Sequence, residues 1–440
     1  MDFASSTQDS RQFSAKRAGS QTCMVLVALA CCAASIALAS LAQGLGVSYL
    51  FIALGAGVGW LCYSLVFGLG LHSSLPLIIL FFIKPFEQSF YLLLGFFALL
   101  LVLELINRGE QKLLIPYPLA LILLLGFGLL SASKITASLG YGYFVSTIIV
   151  PFLTLILCAN AKIEKNSLLL WMQGIAGIGA LVGFFGIILA IKYPLERLGS
   201  LWVTAMTVNG FYTVAFFFAV SLALHYKQQL TRLLWIVAAC FILFGMLYTY
   251  TRMAILAVAF GLFLFMIKLK AMRYIGFALV LLLPLMIPSS MLARIQTGFG
   301  WDISLVIRAL AWYFALTQIY SHPFTGLGFS VWSTWYPQVI PLRILYAQHT
   351  HNLYLNLMVD MGIIGTLAYF YIIWQILRTY WQAKIKQAAD ILPYGYWVAM
   401  MSLLFACLTD IFIQQYSVSI LFWISLGLML ANSKTKETNG

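Results

Sequence analysis

Long apolar stretches, separated by short polar segments, recur along almost the whole chain. Ser167–Ile191 and Leu353–Leu377 are two of them, and each is long enough to cross a bilayer as an α-helix. Their apolar residues are continuous, whereas a transmembrane β-barrel requires alternation. With 63% hydrophobic and only 8% charged residues, the 440-residue chain has too few charges to cover a soluble core. The sequence therefore predicts an all-α polytopic integral membrane protein.

The predicted organisation is one membrane domain between two short tails. Residues 1–22 form the predicted cytoplasmic N-terminal tail, and residues 433–440 form the predicted cytoplasmic C-terminal tail. Residues 23–432 hold about twelve to fourteen predicted transmembrane helices. One long loop, at about residues 288–348, interrupts this pattern, and within it Ile303–Tyr320 has the apolar spacing of an amphipathic helix.

The distribution of basic residues predicts how the domain is oriented. The net charge of +13 is scattered between apolar stretches, so cytoplasmic loops explain it better than nucleic-acid binding does. If the N-terminal tail lies inside and the helices alternate, most Lys and Arg residues are cytoplasmic, as is usual for membrane proteins. The long loop then lies outside, and Arg197, Arg252 and Arg308 lie on the same side as His351.

Two of the five histidines, His349 and His351, open the apolar stretch that begins at Leu353. Polar groups this dense at the start of a membrane helix indicate a function outside the lipid. Histidine exchanges a proton near neutral pH, and arginine holds phosphate in two-point contacts. Outer arginines beside a histidine therefore suit a reaction on a lipid-linked diphosphate. In it, histidine deprotonates an incoming hydroxyl and arginines neutralise the departing diphosphate.

Other polar and aromatic residues allow more than one interpretation. Trp332, Trp335 and Tyr336 in the long loop offer faces on which a sugar can stack, or they form an interfacial aromatic belt. Asp360 is either a proton-relay residue of a transporter or the buried partner of an arginine. Asp410, with the glutamines that follow it, predicts only a short outer turn.

A metal site is not predicted at the histidine pair. His349 and His351 are two residues apart, which points them to opposite sides of a helix, and no cysteine or carboxylate is adjacent in sequence. The seven cysteines lie in or beside apolar segments without metal-site spacing, and they are interpreted as small apolar side chains.

The sequence His351-Asn352, nine further residues, then Gly362-x-x-Gly365 resembles the H-N-x9-G-x-x-G signature of the bacterial O-antigen ligase family. This family includes O-antigen ligases, related polymerases and O-linked oligosaccharyltransferases. The two glycines are expected to permit close helix packing below the site.

Further fragments, mainly between residues 197 and 371, resemble the same family. Arg308-x-x-x-Trp312 is similar to its R-x-x-x-W sequence, and a P-x-x-G-x-G sequence follows at residues 323–328. Arg252 lies in a T-R-x-A sequence that resembles the family's arginine at a helix turn. An R-x-G sequence at Arg197, upstream of an asparagine, resembles an earlier stretch more loosely.

The resemblance implies a metal-independent, inverting glycosyltransferase that requires no cofactor. Its donor would be a glycan on undecaprenyl diphosphate, in the outer leaflet of the bacterial inner membrane, with the active site facing the periplasm. His351 would be the base, and Arg197, Arg252 and Arg308 would grip the diphosphate. The candidate substrate-binding residues are His349, Asn352, Trp312, Trp332, Trp335 and Tyr336.

Several functions remain open from the sequence. The first hypothesis is ligation of a polysaccharide to lipid A–core in lipopolysaccharide biosynthesis. A polymerase that uses a second lipid-linked glycan as acceptor shares the same chemistry, and protein O-glycosylation is a third possibility. A transporter or flippase is the alternative outside enzymes, but it predicts paired broken helices in two matching halves, and only one broken segment is found.

Overall fold

The computed structural model describes most of the chain from residue 113 onwards. The described residues are 75, 94–95, 97–102, 106, 113–136, 138–160, 167–192, 205–249, 251–269, 274, 303–386 and 390–434. The predicted N-terminal tail and Arg197 lie outside them.

The described residues are helical and contain no strand. The helices are α1 Pro118–Ala132, α2 Ser138–Phe144, α3 Val150–Asn160, α4 Ser167–Lys192, α5 Ala205–His225, α6 Gln229–Leu247, α7 Arg252–Lys268, α8 Ile303–Ser321, α9 Trp332–Val339, α10 Leu353–Tyr380, α11 Leu392–Ala406 and α12 Tyr416–Lys434. A π-helical turn, Val145–Ile149, joins α2 to α3, and short 3-10 turns form at Arg343–Leu345 and Phe412–Gln414.

The prediction of an all-α polytopic membrane protein is confirmed. Within the described ranges, seven helices are long and apolar enough to cross a membrane. The predicted helix Ser167–Ile191 is observed as α4, and the stretch predicted at Leu353–Leu377 is observed as α10, which ends three residues later. The amphipathic helix predicted in the long loop is α8, so the described part of this loop is largely helical.

Two helices, α5 and α12, form the centre of the bundle. Most residues of both are buried inside the protein, and α5 packs against α4, α6 and α11, whereas α12 packs against α3 and α10. Small residues allow the neighbouring helices to approach closely. A Cβ added to Gly183 of α4 would lie 2.4 Å from the carbonyl oxygen of Phe241 in α6. Such contacts stabilise membrane helices through dispersion rather than through exclusion of water.

Candidate active site

The two predicted histidines lie in a short loop that precedes α10, here named the histidine loop (residues 349–352). Asn352 caps α10, because its side-chain oxygen accepts hydrogen bonds from the backbone N–H groups of Tyr354 (2.9 Å) and Leu355 (3.1 Å). Its side-chain N–H₂ donates to the carbonyl oxygen of Leu408 at 2.9 Å. The loop is therefore tied to the turn that follows α11.

That turn brings a carboxylate, Asp410, to the histidine pair. His349 Nε2 lies 3.9 Å from Asp410 Oδ1, and His351 Nδ1 lies 3.9 Å from Asp410 Oδ2. The two imidazole rings are 4.3 Å apart between centroids. His351 has a left-handed backbone conformation with φ of 51°, and its backbone N–H donates to His349 Nδ1 at 3.2 Å. Three titratable side chains thus form one compact cluster.

The charges within this cluster follow from burial and proximity. Burial raises the pKa of Asp410, but the interactions with His351 and His349 outweigh this effect and leave the pKa below its ordinary value. Burial lowers the pKa of His349, Asp410 opposes this effect, and the nearby His351 and Arg308 add to it, so that the pKa is about 4. At neutral pH, Asp410 is therefore ionised and His349 is neutral.

The ionised carboxylate also determines which nitrogen of His351 can act as a base. Asp410 Oδ2 faces His351 Nδ1 and favours the tautomer that carries its proton on Nδ1. Nε2 then retains its lone pair and can accept a proton. The separation of 3.9 Å exceeds a hydrogen bond, although catalytic hydrogen bonds often shorten only when substrate binds.

The same three residues also have the spacing of a metal site. Their ligand atoms lie within 4.8 Å of one another, so the sequence argument that no carboxylate is adjacent does not hold in the fold. However, His349 Nδ1 accepts a hydrogen bond from the His351 backbone, which leaves the proton of neutral His349 on Nε2, the nitrogen that faces Asp410. This tautomer favours an acid–base cluster over a metal centre.

Arg308 supplies a positive charge beside the histidine loop. One of its terminal nitrogens, Nη1, donates to the carbonyl oxygen of Ser304 at 3.2 Å and to the Ser304 hydroxyl. Within the described part of the chain, Arg308 Nε and Trp312 Nε1 are buried without a hydrogen-bond partner. These residues are one helical turn apart on α8, so both unpaired N–H groups lie on the same face of the helix.

The packing of α7 against α11 brings Arg252 to the same end of the bundle. Phe260 of α7 stacks on Phe405 of α11 with ring centroids 4.4 Å apart, and further along α7, Leu264 accepts a hydrogen bond from Tyr394 at 2.5 Å. The two helices are therefore antiparallel, and the first residue of α7 lies at the same end as the last residue of α11. Arg252 and the Asp410 turn consequently share one face of the protein.

Asn209, which follows the predicted Arg197 stretch, also lies at this end. Its side-chain N–H₂ donates to the Thr249 hydroxyl at 2.7 Å, just before α7 begins. The next residue, Gly210, packs so closely that a Cβ there would lie 3.3 Å from the ring of Phe412. The α5 N-terminus therefore borders the turn that carries Asp410.

The P-x-x-G-x-G sequence forms a loop, here named the glycine loop (residues 322–331), that docks onto a break in α10. Gly362 has a non-helical φ of 76°, and a Cβ there would lie 2.2 Å from the carbonyl oxygen of Phe324. The backbone of Ile363 donates to the Pro323 carbonyl oxygen at 2.8 Å. Gly362 therefore admits a loop, whereas Gly365 faces Phe127 of α1 and fits the predicted close helix packing.

Two of the predicted sugar-stacking residues do not offer an open face. Trp332 is 1% exposed and Tyr336 is 0% exposed, and their rings stack on each other with centroids 4.8 Å apart. Trp332 also donates from Nε1 to the carbonyl oxygen of Ala347 at 3.0 Å, next to the histidine loop. Their rings therefore pack against the protein and leave no open face for a sugar, whereas Trp335 remains partly exposed.

Sequence reasoning missed Asp410. The sequence predicts only an outer turn there, and the available signal is a lone carboxylate between two apolar stretches. For Asp360 the sequence predicts either a proton-relay residue or the buried partner of an arginine. In the described part of the chain, its carboxylate instead accepts hydrogen bonds from the side-chain amides of Asn356 and Gln414.

Comparison with known proteins supports the resemblance seen in the motifs. Residues 237–370 match a family model described as O-Antigen ligase. The matched segment contains Arg252, Arg308, the histidine loop and Gly362, whereas Asp410 lies beyond it. A search of curated proteins gives no significant match.

Proposed function

We propose that this protein transfers a glycan from undecaprenyl diphosphate to an acceptor hydroxyl, and the match of residues 237–370 to a family model described as O-Antigen ligase supports this proposal. The observation that carries the proposal is the pairing of His351 with Asp410 beside Arg308. A base, a carboxylate that orients it and a cation for a departing diphosphate are the three groups that this transfer requires.

In the proposed reaction, the acceptor hydroxyl oxygen attacks the anomeric carbon of the donor sugar. The new glycosidic bond forms as the bond between this carbon and the diphosphate oxygen breaks, with inversion at the carbon. His351 Nε2 takes the hydroxyl proton, and Asp410 stabilises the imidazolium that results. The diphosphate departs on its lipid with the bonding electron pair, so atoms and charge balance without a metal ion or a cofactor.

Arg308 and Arg252 are the proposed diphosphate contacts. Arg308 has an N–H group without a protein partner in the described residues, and an arginine keeps its charge at any physiological pH. Arg197, which belongs to the same predicted set, remains a proposal from the sequence alone. These cations would neutralise the negative charge that grows on the leaving group.

The preferred acceptor is lipid A–core, which makes the protein a ligase of lipopolysaccharide biosynthesis in the bacterial inner membrane. Transfer to a second lipid-linked glycan, by a polymerase, is the alternative. Both reactions use the same base and the same donor. The proposed site faces the periplasm, because the opposite end of α5 is followed by Lys227 and Arg232, which the positive-inside tendency assigns to the cytoplasm.

Complementation of a strain that lacks the gene tests the proposal. Wild-type protein must first restore the lipopolysaccharide pattern on a gel. If His351→Ala then leaves bare core while lipid-linked chains accumulate, and the variant is present in the membrane at the wild-type level, the ligase proposal is supported.

The other outcomes separate the alternatives. A deletion strain whose core carries a single repeat unit identifies a polymerase. A His351→Ala variant that complements as well as wild type contradicts the assignment of His351 as the base, and accumulation of donor on the cytoplasmic side would favour a flippase.

A further inference from the structure

We propose that Asn356, Asp360 and Gln414 form a positioning network that sets the conformation of the histidine loop and thereby the activity of His351. The inference rests on the proposed function for its kinetic consequences, but not for its structural ones. The three side chains are at most 2% exposed. None of them belongs to the acid–base cluster of His349, His351 and Asp410.

In this network, amide N–H groups donate hydrogen bonds to carboxylate and amide oxygens. The Asn356 side-chain N–H₂ donates to Asp360 Oδ2 at 2.9 Å and to Gln414 Oε1 at 2.9 Å. Gln414 Nε2 donates to the same carboxylate oxygen at 3.2 Å. The other oxygen, Asp360 Oδ1, accepts from the backbone N–H of Ser330 in the glycine loop at 3.4 Å. With the described residues, the carboxylate therefore acts as an acceptor in each of these three hydrogen bonds.

Asn356 connects this network to the histidine loop. Its side-chain oxygen accepts a hydrogen bond from the backbone N–H of Thr350 at 3.2 Å, and Thr350 lies between the two histidines. The following residue, His351, has the left-handed conformation with φ of 51°, which is strained for a non-glycine residue and persists only where the surrounding contacts hold it. Asn356 supplies part of that constraint, because it fixes the peptide group between His349 and Thr350, one residue before His351.

Gln414 extends the network to two further elements. It lies in the 3-10 turn that follows Asp410, and its Nε2 also approaches the Thr147 hydroxyl at 3.4 Å in the π-helical turn. The network thus contacts both segments that form the proposed His351–Asp410 pair: the loop that carries His351 and the turn that carries Asp410. A shift of about 1 Å at a catalytic group can reduce a rate about 100-fold, so small displacements here have large expected effects.

The pattern of donors and acceptors allows a test in which a second substitution reverses the effect of the first. Asn356→Asp places a second carboxyl group 2.9 Å from the carboxylate of Asp360. It replaces an amide donor by a group that repels the carboxylate unless the pair takes up a proton. Asp360→Asn in the same chain restores complementarity. The new amide at position 360 donates to the new carboxylate at position 356, which still accepts from the Thr350 N–H. The side-chain amide of Gln414 rotates by about 180°, so that its N–H₂ donates to position 356 and its oxygen accepts from position 360.

We expect Asn356→Asp to lower kcat about 100-fold with little change in the KM of a prenyl-diphosphate-linked glycan donor. The double variant Asn356→Asp/Asp360→Asn should regain activity to within about threefold of wild type, because the two effects are coupled rather than additive. The matched control is Ser425→Ala, which removes a buried hydroxyl that accepts from Trp171 Nε1 at 3.1 Å. It should lower the melting temperature while kcat stays unchanged.

A second readout does not depend on catalysis. The rate at which diethyl pyrocarbonate modifies His351, measured by mass spectrometry on purified protein, should change in Asn356→Asp and return in the double variant. If the wild-type protein transfers no glycan, the proposed function fails. The rate at which the reagent modifies His351 still tests the network in that case. The network is overturned if the double variant is as impaired as Asn356→Asp in both readouts, or if Asn356→Asp alters only the melting temperature.

Discussion

Asp410 Oδ2 and His351 Nδ1 face each other across 3.9 Å, although α10 and α11 separate the two residues along the chain. Both atoms are buried, and neither has a hydrogen-bond partner in the described residues. Buried polar atoms are usually satisfied, so an unsatisfied pair indicates groups reserved for a ligand or a reaction. This relationship supports the proposal that Asp410 orients His351.

We expect Asp410→Asn to reduce kcat by about 10²- to 10⁴-fold, because the amide can donate to Nδ1 and so favours the tautomer whose Nε2 carries the proton. The KM of the donor should change little, since Asp410 is not a proposed diphosphate contact. Donor turnover by purified protein in detergent measures both quantities.

The matched control for Asp410→Asn is Asp390→Asn. Asp390 lies 2.9 Å from His225 Nδ1, in a second histidine–carboxylate pair beyond the far end of α5. This variant should retain wild-type kcat. Equal losses in the two variants, or full activity of Asp410→Asn, would show that Asp410 does not orient the base.

The helices could be predicted from sequence because their signal is local. The length and composition of a continuous apolar stretch such as Ser167–Ile191 are enough to predict a transmembrane helix and its bounds. The observed α4 differs by one residue at its end. The R-x-x-x-W and H-N motifs also predict Arg308, His351 and Asn352 as site residues from nearby residues alone. Each of these predictions depends on spacing within one segment.

The remaining parts of the site depend on contacts between distant segments. The glycines of the P-x-x-G-x-G sequence indicated a tight loop, but only the fold shows that it docks onto the break at Gly362. Asp410 and Gln414 carry no motif, and their roles arise because the turn after α11 packs against the start of α10. Burial of Trp332 and Tyr336 likewise depends on α8 and α10, which no local pattern reveals.

Substitution of Arg308 tests the proposed diphosphate contact. We expect Arg308→Lys to lower kcat/KM about 10- to 100-fold, because one charge-assisted hydrogen bond is worth about 1.5–3 kcal/mol and a lysine cannot reproduce the two-point fork. Competition by a short prenyl diphosphate, measured as an inhibition constant, should weaken in parallel.

Arg343→Lys is the control for the arginine test. Arg343 belongs to the same long loop, but it is exposed and is not a proposed diphosphate contact. It should leave kcat/KM and inhibition unchanged. If Arg308→Lys loses activity while the inhibition constant stays at the wild-type value, Arg308 supports the histidine loop rather than the diphosphate.

The break in α10 predicts that replacing Gly362 by a residue with a Cβ destabilises the protein. We expect Gly362→Ala to destabilise the protein by at least about 1–3 kcal/mol, because its φ of 76° is unfavourable for alanine and the new Cβ would meet the Phe324 carbonyl oxygen. Faster proteolysis within the glycine loop should accompany a lower melting temperature. Gly126→Ala is the control, since a Cβ there meets nothing within 4 Å, and a similar loss in both variants would contradict the docking role of Gly362.

Burial of neutral His349 predicts how stability depends on pH. Its pKa is lowered from 6.5 to about 4 in the folded protein, so between these values the unfolded chain binds the proton and the folded protein does not. The free energy of unfolding therefore rises with pH across this window. The contribution of His349 is fully present above about pH 6.5 and is lost as the pH falls towards 4.

We expect His349→Gln to flatten this dependence by about 2 kcal/mol between pH 7.5 and pH 5, at about 1.4 kcal/mol for each pH unit below 6.5. Melting temperatures of purified protein across this range measure the effect. His322→Gln, which alters an exposed histidine of the glycine loop, should keep the wild-type slope. An unchanged slope in His349→Gln would mean that His349 takes up its proton equally in the folded and unfolded states, and that the cluster around Asp410 is more open than its geometry indicates.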